Sequence, residues 1–270
     1  MNISASLVLY HSDPELYDAA IISFLNGCSG TLYVVDNSAA PLQNDLFAHP
    51  RVKYVYAGRN LGFGAAHNLA LEHVIPESDL HLLLNPDITF GPTVLAAIAA
   101  KMEDERDVGV VMPRVVYPNG DLQRVHKLLP TPVDLIFRRF IPIASLRDRI
   151  NKRYELHGLR QDRPADIPSL SGCFLLTRTN LIKKLGGFDE RYFMYMEDVD
   201  LVRRIGNVAR TVYEPSAVVV HAFARGSYSN RTLLKYHLKS ALLYFNKWGW
   251  FFDPVRYERN KNALAGLRKQ

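Results

Sequence analysis

Three carboxylates in four positions, Glu197, Asp198 and Asp200, follow the aromatic-rich run Tyr192-Phe193-Met194-Tyr195. Like charges this close repel, which raises one pKa and suits a general base that takes a proton from an attacking hydroxyl. The same acids fit the first turn of a helix, where the dipole favours negative charge, but that leaves the apolar lead-in unexplained. Two further acids follow apolar runs: Asp36 in Val34-Val35-Asp36-Asn37-Ser38 and Asp87 in Leu84-Asn85-Pro86-Asp87. A side chain just past a strand reaches a ligand because the sheet ends beneath it. Asp36 could accept from a nucleobase N–H or a ribose hydroxyl, and Asp87 could hold a divalent cation through hard oxygens, as diphosphate chemistry requires. Each could equally cap the next helix or turn. His221 ends the run Val218-Val219-Val220 and would face the same edge, as a packed surface residue or a ligand.

Arg59-Asn60-Leu61-Gly62-Phe63-Gly64 opens a helical pattern that runs through Asn68. Its glycines let backbone N–H groups approach an anion at a helix N-terminus, although a purely structural β–α turn uses glycine in the same way. The chain has no Gly-x-Ser-x-Gly elbow, no Walker loop, no His-Glu-x-x-His site and no full dinucleotide fingerprint.

The elements that must position these residues read as an alternation. Strands are predicted at Ile3–Tyr10, Thr31–Asp36, Val52–Ala57, Leu80–Leu84 and Val108–Met112, with helices at Pro14–Leu25, Gly64–Val74 and Thr93–Met102. Such alternation predicts an α/β fold with a largely parallel sheet flanked by helices, whose ligands bind beyond the carboxyl ends of the strands. Residues 130–168 carry five prolines and many charges and read as an irregular excursion. A strand over Leu170–Thr177, a short helix from Asn180, a helix over Glu197–Ile205 and strands at Thr211–Tyr213 and Ala217–His221 follow. From Leu233 an amphipathic helix presents Leu234, Leu238, Ala241, Leu242, Phe245 and Trp248 at three- and four-residue spacing.

The 270 residues are 48% hydrophobic and 22% charged, which fits a globular domain and excludes a disordered chain or a disulfide scaffold. The two cysteines, Cys28 and Cys173, have no partners at zinc-ligand spacing and read as small buried hydrophobes of a reducing compartment. No transmembrane run or signal peptide is expected, so a cytoplasmic protein is. The net charge of +6 is uneven, with ten Lys/Arg against Asp253 and Glu258 in residues 225–270. A basic segment of this kind, interleaved with Trp248, Trp250, Phe251 and Phe252, predicts an anionic partner, with a membrane surface favoured over nucleic acid for want of a nucleic-acid motif.

Together these residues resemble the inverting family-2 glycosyltransferases of the GT-A fold, a Rossmann-like architecture, and among them bacterial rhamnosyltransferases. The likeness runs from Leu7 to about Trp248. It rests on Val35-Asp36-Asn37-Ser38, on Asn60-x-Gly62-Phe63-Gly64-x-Ala66-x-Asn68 and on Asn85-Pro86-Asp87. It rests further on Ser171-Gly172-Cys173-Phe174 and on Gly186-Gly187-Phe188-Asp189-Glu190-x-Tyr192-Phe193-x-Tyr195-x-Glu197-Asp198-x-Asp200. The resemblance implies direct displacement at the anomeric carbon of a nucleotide sugar, with Mg²⁺ or Mn²⁺ assisting the leaving diphosphate. It implies that Asp198 is the base, with Glu197 its competitor. Tyr10, Asp36, Asn37, Arg59, Asn60, Gly62, Asn68, Asn85 and Asp87 are then expected around the donor. Ser171, Gly172 and Cys173 are expected on the acceptor side, and Asp87 with His221 at the metal. Asn85 stands where many relatives have a second aspartate, which implies a weaker metal site.

The expected organisation is a domain over residues 1–228, with a nucleotide-sugar half to residue 112 and an acceptor half from 113, followed by the basic helical segment 229–270. The favoured donor is dTDP-rhamnose, the acceptor a saccharide or lipid-linked saccharide of a surface polysaccharide, and the place of work the inner face of the plasma membrane. A UDP-sugar donor, or a non-catalytic sugar-nucleotide-binding subunit, are the alternatives, and the apolar C-terminal helix could pair two chains.

Overall fold

The computed structural model describes residues 1–73, 78–136, 141–222 and 231–268, the side chains of Arg231 and Arg268 excepted. The first half runs β1 (Ile3–Leu9), α1 (Pro14–Gly27), β2 (Leu32–Asp36), β3 (Val52–Tyr56), α2 (Phe63–His73), β4 (Leu80–Leu84), β5 (Ile88–Phe90), α3 (Val94–Asp104) and β6 (Val108–Val116). Then come β7 (His126–Lys127), α4 (Pro132–Leu135), α5 (Ala144–Tyr154), β8 (Ala165–Asp166), β9 (Ser169–Leu170), β10 (Phe174–Arg178) and α6 (Thr179–Lys184). The chain closes with α7 (Glu197–Ile205), β11 (Arg210–His221), α8 (Arg231–Trp248) and α9 (Pro254–Arg268).

Among the described residues, β3-β2-β1-β4-β10-β6-β11-β5 form one sheet in that order, with β8 on β11. All of the path runs parallel except β10, which is antiparallel between β4 and β6, and β5, antiparallel on β11. This is the mixed, mostly parallel sheet that the alternation predicts. Strand residues alternate between two cores because successive side chains point to opposite faces. Leu82, Leu84, Phe174 and Leu176 join the core under α1 and α3, whereas Leu83 and Leu175 join the one under α7 and α8. The strand order reverses between β2 and β4 about the first strand, so the crevice for a ligand lies beyond the ends of β1, β2 and β4.

Three readings of the sequence differ from the structure. The proline-rich stretch 130–168 is ordered where described, because Tyr154, Leu156 and Leu159 are buried in the second core and hold α4, α5 and β8 against it; residues 137–140 lie outside the described residues. The strand over 170–177 is broken at Ser171-Gly172-Cys173 into β9 and β10, which belong to different sheets. The last two strands are one, with Pro215 in a register shift between Glu214 and Val218 because its missing N–H cannot join the ladder.

The C-terminal helices pack on the second core through Ala241, Tyr244, Phe245 and Ala263. This face of α8 is turned from the expected stripe, and Leu238 and Leu242 are exposed. A buried ion pair locks the helices to α7: Arg203 donates to both oxygens of Asp253 at 2.8 and 2.7 Å and to the Tyr244 hydroxyl at 3.1 Å. Asn260 exchanges two bonds of 2.8 Å with the Leu129 backbone, which ties α9 to the stretch before α4.

Candidate active site

A cleft of about 530 Å³ opens where the first-half strands end. Its lining brings together Tyr10 after β1, Asn37 after β2, Asn60 and Gly62 ahead of α2, Asn85 and Asp87 after β4, the strap Ser171-Gly172-Cys173, and Glu197 and Asp198 at the head of α7. Asp36, Arg59, Asn68 and His221 lie outside that lining.

Asp36 is fully buried, and its carboxylate accepts from the Ser38 N–H at 2.8 Å, the Leu42 N–H at 2.9 Å and the Tyr54 hydroxyl at 2.6 Å. Burial raises its pKa, but these donors outweigh it and hold the carboxyl below its usual value. Its place in the structure is to fold the loop over residues 38–42. Asn68 clamps the segment before α7, donating to the Phe188 carbonyl at 2.9 Å and accepting from the Phe188 N–H at 2.8 Å. Arg59 is exposed on the loop after β3.

The glycine loop is built by close backbone approach. Gly62 has φ +87°, its N–H donates to Asn60 Oδ1 at 2.9 Å, and its carbonyl accepts from Asn37 Nδ2 at 3.0 Å. A Cβ there would lie 2.2 Å from the Phe193 carbonyl oxygen, so only glycine fits. The loop therefore couples the ends of β2 and β3 to the segment that leads into α7.

The two residues ahead of α7, Tyr195 and Met196, both take left-handed backbone conformations, with φ of 68° and 69°. Such strain costs about 1–3 kcal/mol per residue and persists where the surroundings enforce it. Here it turns the chain so that Glu197 and Asp198 face the cleft. Asp200, further round the helix, is buried on the other side and accepts from Trp248 Nε1, Arg204 Nε and Lys247 Nζ, each at 2.8 Å.

Asp198 is anchored by the Gly172 N–H at 2.9 Å and its own neighbour's N–H, that of Val199, at 2.7 Å. Burial raises its pKa, partly offset by those donors and by the charge of Lys127. Burial also raises the pKa of Glu197, and the negative charge of Asp198 raises it further, while Glu197 Oε2 accepts no hydrogen bond. Of the two, Asp198 is the better placed to be ionised. It also forms the shared wall between the cleft and a smaller pocket of about 230 Å³ lined by Lys127, Tyr154, Ser169, Ser171 and Tyr195.

On the sheet side of the cleft, His221 Nε2 stands 3.1 Å from Asp87 Oδ1. Gln123 fixes the tautomer: its Nε2 donates to the His221 carbonyl at 3.0 Å, so its Oε1, 2.9 Å from His221 Nδ1, must accept a proton from that nitrogen. Nε2 then faces the Asp87 carboxylate, an arrangement in which a cation could be shared between the two side chains. The carboxylate oxygen suits either Mg²⁺ or Mn²⁺, and the imidazole nitrogen beside it favours Mn²⁺ over Mg²⁺, which prefers oxygen ligands. Among the described residues no group of three or more His, Cys, Asp or Glu surrounds a cation position. The Cys173 carbonyl, accepting from the Asn85 N–H at 2.9 Å, links the Asp87 turn to the strap that anchors Asp198.

Gln123 and Lys127 had no signal in the sequence. Gln123 meets His221 only across 98 positions, and Lys127 is one of many basic residues until the fold sets it beside Asp198.

The mixed, mostly parallel sheet flanked by helices, with its cleft beyond the ends of β1, β2 and β4, has the GT-A architecture of glycosyltransferases. The solved structure of GalNAc-T7 with UDP, GalNAc and Mn²⁺ shares that fold at a TM-score of 0.63 and 13% identity, over 92% of this chain and 50% of that longer one. The chain belongs to glycosyl transferase family 2, which residues 29–186 match. It is 30% identical over 226 residues, 77% of this chain and 72% of the relative, to an N-acetylglucosaminyl-diphospho-decaprenol L-rhamnosyltransferase of Mycobacterium tuberculosis. It is 27% identical over 228 residues, 79% of this chain and 81% of the relative, to Rhamnosyltransferase WbbL of Escherichia coli.

Proposed function

We infer that the protein transfers L-rhamnose from dTDP-rhamnose to a hydroxyl of a lipid-linked saccharide, by a single displacement that inverts the anomeric carbon. The observation that carries this reading is the pairing, in one cleft, of an anchored carboxylate at the head of α7 with Asp87 across the strap, His221 standing behind Asp87 at 3.1 Å. The nature of the sugar and of the acceptor rests on the names of the two relatives.

Tyr10 offers an exposed ring to the nucleobase, and Asn37 Oδ1, which accepts no hydrogen bond, suits the imide N–H of thymine. The glycine loop and the N-terminus of α2 face the donor. Asp87 and His221 would hold Mg²⁺ or Mn²⁺, whose charge would stabilise the departing diphosphate. The acceptor ring enters the smaller pocket, where Ser169, Ser171 and the Tyr154 ring present hydroxyl and stacking contacts. Asp198 takes the proton from the acceptor hydroxyl as that oxygen attacks, and Gly172 and Val199 hold the carboxylate in place. No step needs a covalent link between enzyme and sugar.

The enzyme works in the cytoplasm at the inner membrane face. A transfer assay with dTDP-rhamnose and UDP-sugars, on an N-acetylglucosaminyl-diphospho-lipid acceptor, tests the whole reading. Rhamnosyl product of inverted configuration from dTDP-rhamnose is expected. Product from a UDP-sugar alone replaces the donor, and retained configuration refutes the displacement.

A further inference from the structure

We propose that α5 and the turn between α8 and α9 form one surface that docks the protein on an anionic lipid bilayer. The tail alone does not supply it. Trp248 is turned inward, bonded to Asp200 and stacked 4.2 Å from the Arg203 guanidinium, and Trp250 packs 5.1 Å from Phe245. What the turn presents instead is Phe251 and Phe252, 72% and 94% exposed among the described residues.

The other half of the surface comes from the stretch whose charge hides it in the sequence. Helix α5 is exposed from Ala144 to Arg149, and Tyr154 is its only buried residue. It carries Arg147, Arg149, Lys152 and Arg153 against Asp148, and Asp148 is paired with Lys152 at 2.7 Å. Ile143 and Leu146, 58% and 44% exposed, lie one helical turn apart among these arginines. A short basic helix with exposed aliphatic residues, anchored to the fold at its Tyr154 end, has the character of an interfacial helix.

The two halves are continuous. A groove of about 470 Å³ runs between them, lined by Arg153 from the end of α5 and by Phe251, Tyr257 and Lys261 from the turn and α9. Aromatic rings to enter the acyl boundary thus flank cationic groups at headgroup level. The net positive charge selects an anionic lipid surface over a second copy of the chain, which would bring the same arginines against one another. No helix among the described residues is long and apolar enough to cross a membrane, so the contact is peripheral. This inference does not rest on the transferase reading, because it concerns lipid alone.

Flotation of the full chain with phosphatidylcholine vesicles, with and without phosphatidylglycerol, tests it without donor or acceptor. Binding to the anionic vesicles only, released by high salt, is expected. Roughly fivefold in affinity accompanies each basic residue near an anionic surface, so Arg147→Glu with Arg149→Glu lowers partitioning at least about 25-fold. Phe251→Ser with Phe252→Ser lowers it about tenfold or more, and both pairs, being exposed, leave the thermal transition unchanged. Lys183→Glu with Lys184→Glu, on α6, serves as the control and binds as wild type. Wild-type protein that stays with the free fraction overturns the proposal, as do variants that float like wild type. Light scattering that finds a dimer broken by the same substitutions assigns the surface to a second copy and overturns it as well.

Discussion

Lowering the pH from 7.5 to 5.5 should cost this fold stability, because it buries three histidines in the neutral form. Between β1, β4 and α2, Ser4 Oγ lies 2.8 Å from His81 Nδ1, Ser6 Oγ 2.8 Å from His81 Nε2, and the same Ser6 Oγ 2.6 Å from His67 Nδ1. Burial pushes both imidazoles down to about 3, and does the same to His126 beside Tyr213, where nearby cations add to it. In the unfolded chain each takes a proton near pH 6.5, so between pH 6.5 and 3 the unfolded state binds more protons and stability falls with falling pH. Linkage gives about 1.4 kcal/mol per histidine at pH 5.5, or about 4 kcal/mol for three, and the raised carboxyl of Glu197, which holds a proton in the fold that the unfolded chain gives up, works in the opposite direction and returns part of it. Urea unfolding followed by circular dichroism at pH 7.5, 6.5 and 5.5 measures this directly. The midpoint should drop steadily, and His81→Gln should remove about a third of the slope. A slope that His81→Gln leaves unchanged would refute the reasoning, since carboxylates held low by their partners, such as Asp36 and Asp253, add their acid sensitivity mainly below about pH 4.

The remaining predictions concern single residues. Asp253→Ala leaves the Arg203 guanidinium, 2% exposed, without its carboxylate and removes an acceptor for the Arg256 N–H at the start of α9; a loss of about 4–6 kcal/mol is expected by urea titration. Arg203→Met with Asp253→Leu should lose less than Asp253→Ala, because no orphan charge remains. Gly62→Ala drives a methyl into the Phe193 carbonyl and should weaken nucleotide binding by calorimetry, together with a stability loss of about 1–3 kcal/mol or more. Asp87→Ala should abolish the Mn²⁺-dependence of nucleoside diphosphate binding in the same calorimeter; unchanged metal dependence removes Asp87 from that role.

The sequence carried β2, β4 and the first half of β6 well because each is an apolar run, and α1, α2 and α3 because each is a separate 3.6-residue pattern, whereas β5, β7 and β8 are too short or too polar to mark themselves. The Glu197–Ile205 helix is found at its predicted bounds for that reason. Helix α5 was illegible because only Tyr154 of it is buried, so no apolar period marks it. The face of α8 was misplaced because Tyr244, an amphipathic side chain, is buried by its bond to Arg203 while Leu238 and Leu242 are not. Within the site, residues that follow strands were legible from position alone: Asn37, Asn85 and Asp87 do reach the cleft. Position could not tell them from Asp36, whose carboxylate is taken up by Tyr54, a partner 18 residues away. Gln123 was beyond reach, since its part is played through His221 and depends on two distant segments meeting.

The central claim is that Asp198 takes the acceptor's proton. Gly172 and Val199 donate to different oxygens of Asp198, so Asn at this position keeps an acceptor for one of the two N–H groups and has no basic site; Asp198→Asn removes the base at the cost of one anchoring bond. Donor binding and single-turnover transfer by that variant, measured side by side with Glu197→Gln, form the decisive comparison. The account predicts donor affinity within about twofold of wild type and transfer slowed by about 10²–10⁴-fold or more, with Glu197→Gln much less affected. Transfer by Asp198→Asn at the wild-type rate, or a loss that falls on Glu197→Gln instead, would contradict it.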